Sequence, residues 1–307
     1  MIYIQTLQSI THQDSFQQVN VWNTLRPLEQ ESTVVSPDYK NYISPASLRR
    51  LSPVLRMALT AAKECQAAIN EEIDSISVGT ALGCLVDTEK FLVTFHTSTS
   101  DTLSPTAFIQ STHNTIAGQI SLELKNHSYN MTHTQNNLSF EVALVDAIMC
   151  CKEGRSHVLL GAADEAIDFL KLLQPAVIHS DLPLTSGATF MIVGPQKNRF
   201  GIGFLDCSVD FNSTNIAQSV KHFLDKNGLK AGDIDQTLVS SQELVEDFPG
   251  SINYLNYSGL YFSASAFAVH MGHDWLKKEQ KKYVLIINEQ IKGKLGLILL
   301  KRDETYN

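Results

Sequence analysis

Val54, Leu55, Ala58, Leu59, Ala62 and Ile69 recur at i, i+3 and i+4 spacing, an apolar stripe that predicts one amphipathic helix. Before it, residues 11 to 43 are polar and irregular, and Ser44-Pro45 supplies a helix start. After it, Ile73 to Val78 alternates as a strand does and stops at Gly79. The same helix-then-strand pattern returns later in the chain. "EIDSISVGT" from Glu72 matches "DIDQTLVSS" from Asp233, and "EGRSHVLLG" from Glu153 matches "EQKKYVLII" from Glu279. The latter pair follow helices expected over about 138–152 and 262–278. Ile73 to Val158 spans 85 residues and Ile234 to Val284 spans 50, so the first copy carries about 35 extra residues.

Continuous apolar runs such as Val158-Leu159-Leu160 and Val284-Leu285-Ile286-Ile287 are strands buried on both faces, which predicts an α/β fold with helices covering its sheets. Gly187 to Val193 reads as the last strand of the first half, stopped by Gly194-Pro195, and Leu295 to Leu300 as an edge or hairpin strand. The expected organisation is two similar halves, 1–195 with an insertion at about 82–131, and 196–307.

With 307 residues, 43% of them hydrophobic, the chain can bury a large core. No run approaches the length of an apolar membrane span, no basic leader precedes an apolar run, and a cytoplasmic location without membrane contact is expected. Cys65, Cys84, Cys150, Cys151 and Cys207 form an odd set without CxxC spacing, which points to reduced thiols. A net charge of −8 argues against nucleic acid as a partner. Against that background "LKKEQKK" from Leu276 is a solvated helix end or, like Arg49 and Arg50, a place for an acidic protein to dock.

The candidate chemistry centres on "MTHTQNNLSFEVALVDAI" from Met131, a polar approach to a helix whose N-terminal dipole favours developing negative charge. Asn137 is a good helix N-cap. Ser139 lacks the GxSxG elbow of a serine nucleophile, and Cys150 and Cys151 read as packing residues far from the reactive end. His113, His133 and His270 are candidates for a cleft lining. His270, His273 and Asp274 have helical spacing for a metal but lack a fourth ligand, so no metal is expected.

"SLRRLSPVLRMALTAA" from Ser47, "VALVDAIMCCKEGRSHVLLGAADEA" from Val142 and "GLKAGDIDQTLVSS" from Gly228, in that order, resemble the β-ketoacyl synthases. "GTALGCLVDTEKFL", "SPTAFIQSTHNTIAGQIS" and "SASAFAV" resemble the short synthase-like proteins of aryl polyene and flexirubin type pathways. The resemblance implies a thiolase-like α/β fold, two duplicated halves stacked as αβαβα layers, and a Cys-His-His triad. Without gaps the triad positions fall on Asn137, Ser240 and Leu260, and a gap of two moves the first to Gln135. An amide cannot ionise to a nucleophile. The implied pocket comprises His133, Gln135, Asn137, Phe140, His113 and His270, with no cofactor and with substrates carried on acyl carrier protein. The implied role is a noncatalytic subunit resembling chain-length factors. Its partner would be a cysteine-bearing ketosynthase, or a second copy in a homodimer, joined through Tyr129 to Thr134, with Phe140 and the insertion shaping the partner's acyl tunnel. A carrier-protein-dependent acyltransferase or malonyl decarboxylase, and a pure scaffold, are the alternatives.

Overall fold

Pro53 divides the helix expected from Ser44-Pro45 onward and opens a second one under the apolar stripe, because a proline has no N–H to donate and fits only a helix's first turn. A computed structural model describes residues 1–69, 71–98, 104–177 and 181–303. In chain order the elements are β1 (Ile2–Ile10), α1 (Pro45–Leu48), α2 (Pro53–Ile69), β2 (Ser75–Gly79), α3 (Leu85–Thr97), α4 (Pro105–Gln110), α5 (Thr115–Leu124) and β3 (Tyr129–His133). There follow α6 (Ser139–Lys152), β4 (Val158–Asp164), α7 (Asp168–Val177), β5 (Gly187–Gly194) and β6 (Ile202–Asp210). The chain continues through α8 (Ile216–Lys226), β7 (Gln236–Val239), α9 (Gln242–Asp247), β8 (Ile252–Asn253), α10 (Leu255–Ser258), α11 (Ser265–Glu279), β9 (Tyr283–Ile291) and β10 (Lys294–Arg302).

The strands form one ten-stranded sheet in the order β3-β2-β4-β5-β1-β6-β10-β9-β7-β8. Read outward from its centre, the order is the same on both sides. β2 is parallel to β3 and β4, as β7 is to β8 and β9; β4–β5 and β9–β10 are antiparallel. The quoted sequence repeats therefore mark equivalent strands, β2 with β7 and β4 with β9. A ladder of only two pairs, Ile2↔Phe204 and Tyr3↔Gly203, joins the halves. β10 lies between β6 and β9, inside the sheet rather than at its edge, and β6, unmarked by any pattern singled out in the sequence, is its other neighbour.

Helix α6 packs on β2, β4 and β6, and α11 on β9, β5 and β10, so both lie between the two half-sheets. Their apolar faces, including Phe140, Leu144, Phe267 and Met271, form the central core. Outside it, α2 and α5 cover the first half-sheet with Leu55, Leu59 and Ile120, and α8 covers the second with Val220, Phe223 and Leu224. The layers run αβαβα. The extra residues of the first half fold as α3, α4 and α5; residues 99–103 of that insertion lie outside the described residues. Among the described residues no helix is long and apolar enough to cross a membrane.

Candidate functional site

From the end of β3 the chain turns through Gln135 into a 3₁₀ turn, Asn136–Leu138, that runs directly into α6. Asn136 stands at φ +52°, a left-handed conformation that asparagine tolerates better than most residues. Ser139 closes the turn: its Oγ accepts from the Gln135 amide at 2.9 Å and donates to the Asn136 carbonyl at 2.7 Å. The turn also presses on the end of β2, where a Cβ at Gly79 would stand 2.5 Å from the Ser139 oxygen.

Asn137 points inward and is fully buried. Its Nδ2 donates to the Lys294 carbonyl at 3.1 Å, and its own carbonyl accepts from Asn288 Nδ2 at 2.7 Å. The same Asn288 nitrogen reaches Glu141 Oε1, also at 2.7 Å. One amide on β9 thus ties the turn, the first helical turn of α6 and the β9–β10 hairpin together. Glu141 is fully buried, and loss of solvation lifts its carboxyl to about 7, against the hydrogen bond from Asn288. Its Oε2 has no hydrogen-bond partner among the described residues.

Ser240 directly follows β7, and its Oγ accepts from the Glu289 amide at 2.7 Å, so Asn137 and Ser240 meet at the carboxyl end of β9. Leu260 is held by its backbone, donating to the Pro183 carbonyl at 2.8 Å and accepting from the Thr185 amide at 3.0 Å. The preceding Gly259 has φ +68°, and a Cβ there would lie 2.2 Å from Thr185 Cγ2. Tyr254, fully buried, fills the space beside Glu141, Ser240 and Gln290, and burial pushes its hydroxyl pKa up. Leu184, the bridge partner of Leu260, lines a cleft of about 350 Å³ with His12, Ser32, Lys171 and Gln174; Asn137, Glu141 and Ser240 are not part of that lining.

The acidic turn after β4 supplies the scaffold. Asp164 Oδ1 accepts from Thr80 Oγ1 and the amides of Ala81 and Leu82 at 2.9 to 3.0 Å, and Oδ2 from the amide and hydroxyl of Ser263 at 3.2 and 2.7 Å. Glu165 accepts from the amides of Val86, at the start of α3, and Val54, at the start of α2, where helix N-termini favour negative charge. Desolvation still lifts Glu165 to about 7.

Of the residues expected to line a pocket, only Asn137 and the neighbouring Phe140 lie at this place. Phe140 is a correction: fully buried in the central core of its own chain, it cannot wall a partner's tunnel. Gln135 and His113 are exposed, His113 packing over Gly83. His133, partly buried, pairs instead with Asp146 of α6 at 3.1 Å. His270 belongs to the core instead, with Nδ1 2.8 Å from Ser9 Oγ and Nε2 3.6 Å from Asp274 Oδ2. That set copies the order of a serine triad, but Ser9 is fully buried on β1 and touches Thr189, so it serves packing. Asp274 is taken up by His273 and the Val21 amide, and among the described residues no group of three or more ligands could hold a metal.

Glu141, Asn288, Tyr254 and Asp164 were not foreseen as site residues. A signal existed for Glu141, which interrupts the inward face formed by Phe140, Ala143, Leu144 and Ala147 with a carboxylate. Asn288 carries none, since its role depends on β9 passing the turn.

Residues 22–170, just under half the chain, match the family model described as Beta-ketoacyl synthase, N-terminal domain. No curated protein matches the sequence. Among solved structures, the ishigamide ketosynthase/chain length factor shares the fold with a TM-score of 0.79 at 13% identity, over 98% of this chain and 99% of that one. A β-ketoacyl synthase from Burkholderia phymatum STM815 gives 0.77 at 14% identity, over 99% of each chain. The ketosynthase ApeO in complex with its chain length factor ApeC, from Xenorhabdus doucetiae, gives 0.62 at 15% identity, over 98% of this chain and 99% of that one. Over residues 22–170 this chain is similar to the β-ketoacyl synthase N-terminal domain, and over nearly its whole length it shares the thiolase-like fold of the ketosynthase structures.

Proposed function

We propose that the chain is a noncatalytic subunit of the chain-length-factor type. It pairs with a cysteine-bearing ketosynthase that elongates carrier-protein-bound acyl chains in fatty acid or polyketide-type biosynthesis, of the aryl polyene and flexirubin kind. The observation that carries the reading is Asn137: at the helix entry where a thiolate would stand, it presents a buried amide that is hydrogen-bonded to Lys294 and cannot ionise. Ser240 and Leu260, at the two histidine positions of the resemblance, offer no imidazole for decarboxylation or carbonyl polarisation. The subunit needs no cofactor of its own, because its substrates belong to its partner.

Pairing along β3 fits this role. β3 is one edge of the sheet, with Met131 exposed at its middle, and the helices flanking it, α5 and α6, present Leu122 and Met149 to solvent. The insertion adds Phe95, Phe108 and Ile109, also exposed, which replace Phe140 as candidates for shaping a partner's tunnel. The ApeO and ApeC complex joins a ketosynthase to a chain length factor, which supports a heteromer over a pair of identical chains. Co-expression with the cysteine-bearing synthase of the same organism tests the reading: the two copurify, and Met131→Glu separates them. Copurification unaffected by Met131→Glu places the contact elsewhere, and none with the native chain refutes the subunit role.

A further inference from the structure

Helix α3 is turned inside out. Of its thirteen residues only Asp87 is buried, while Leu92, Val93 and Phe95 face solvent. A self-sufficient surface helix does the reverse. It leans on α4 through Phe91 and Phe108, whose ring centroids are 5.7 Å apart, and α4 has no buried residue of its own. The core therefore gives α3 little, and its seat has to come from its first turn. There Glu165, 3% exposed, accepts from the Val86 amide at 2.9 Å with Oε1 and from the Val54 amide at 3.2 Å with Oε2, so one carboxyl fastens the start of α3 to the start of α2. Thr88 adds one further bond, donating to the Ser111 carbonyl at 3.0 Å.

Asp87 bears on this clamp. It is 7% exposed, its Oδ2 has no hydrogen-bond partner among the described residues, and its charge acts on Glu165. Two neighbouring carboxyls buried together resist carrying two charges, so the pair holds a proton. The other groups around them bring no countercharge. From the α3 side comes the Cys84 thiol, pushed up by burial and by both carboxyls, and from α2 only the Val54 amide. Asp164, one residue back on β4, is taken up by Thr80, Ala81, Leu82 and Ser263, and His113 packs over Gly83 at the same bend. Helix N-termini favour the carboxylate form, but burial outweighs them and lifts Glu165 to about 7.

We propose that Glu165 and Asp87 form a proton-locked clamp that seats α3 against the chain and releases it, with its outward apolar face, when the pair gives up its proton. With α3 lifted, Glu165 is solvated and returns to its ordinary 4.5, so opening is accompanied by loss of a proton. The clamp is therefore complete below pH 4.5 and is lost as pH rises through 7. Its consequence for assembly rests on the subunit reading. Phe95, offered above to a partner's tunnel, rides on α3, so pairing tightens toward acid and loosens toward alkali.

Hydrogen exchange read by mass spectrometry tests the clamp on the full-length chain alone, between pH 5.5 and pH 7.5, with rates corrected for the intrinsic effect of pH on exchange. Protection of the α3 amides is expected to fall by about tenfold or more over that range. Glu165→Gln, which cannot ionise, is expected to remove the fall. Asp87→Asn leaves the Val86 and Val54 bonds in place but takes away the neighbouring charge, so the fall shrinks; this variant decides the matter where Glu165→Gln does not fold. Protection of α3 that is absent or constant with pH in the native chain overturns the proposal, as does a fall that persists in Glu165→Gln or is unchanged in Asp87→Asn. Because the partner takes no part in the measurement, a failure here leaves the subunit reading standing, and a failure to copurify with the synthase leaves the clamp standing.

Discussion

Asp164 Oδ2 holds Ser263 twice, by its amide and by its hydroxyl, across 99 residues of sequence, so the end of β4 is fastened to the start of α11 by one buried carboxylate. With the Thr80 to Leu82 loop on its other oxygen, Asp164 joins the two halves on the side of the sheet where the nucleophile turn lies. Its carboxyl is raised by burial against all these hydrogen bonds.

Replacing Asp164 with alanine leaves this set of buried donors without an acceptor. We expect a loss of about 3–5 kcal/mol in urea unfolding, larger than for any single apolar truncation on the outer helices except the largest. Asp164→Asn, which keeps one acceptor, loses less.

Glu141 makes stability fall as pH rises. Its folded carboxyl is lifted to about 7 from an ordinary value of 4.5, so the folded chain holds a proton that the unfolded chain releases. The contribution is complete below pH 4.5 and is lost as pH rises through 7, on the order of 3 kcal/mol. Glu141→Gln should flatten the dependence of the melting midpoint between pH 5 and pH 8, with Glu165, lifted for the same reason, supplying the remaining slope.

His270 acts in the opposite sense. Burial lowers its pKa from 6.5 to about 4, so the fold keeps it neutral while the unfolded chain takes up a proton. The contribution is present above pH 6.5 and is lost as pH falls, by about 2 kcal/mol at pH 5. His270→Gln, which can still pair with Ser9, should show less acid destabilisation in urea titrations at pH 7 and pH 5. A steeper acid loss would contradict the assignment of His270 to the core.

Asn137→Cys should yield a protected thiol. The position is fully buried under the Lys294 hairpin, so labelling by iodoacetamide in the native state should be an order of magnitude slower than in urea, although a helix N-terminus lowers a thiol's pKa. Adding Ser240→His and Leu260→His should not produce condensation, because position 137 is fully buried and Tyr254 packs, also fully buried, against Ser240. Rapid labelling would show that the hairpin opens.

The repeat of helix and strand was legible because burial on both faces leaves continuous apolar runs, and "EIDSISVGT" and "DIDQTLVSS" fall on equivalent strands, β2 and β7. The break at Pro53 was visible in the sequence, but the helix start at Ser44-Pro45 and the apolar stripe from Val54 read as one element. The site was less legible. Asn137 could be placed by counting back along α6, whereas Asn288 and Tyr254 reach it through long-range packing of β9 and α10, and no local pattern encodes that. His270 misled because a histidine in an apolar segment looks the same whether it faces a cleft or, as here, Ser9 and Asp274.

As the noncatalytic subunit proposed above, this chain would assist condensation without performing it. The most direct measurement is carbon–carbon bond formation from malonyl and acyl carrier protein, assayed with the purified chain alone, with the cysteine-bearing synthase alone, and with both. The subunit role predicts no product from the chain alone and, with both present, a product yield or chain length that the synthase alone does not give. Condensation by the chain alone, at a rate matching the pair, would contradict it.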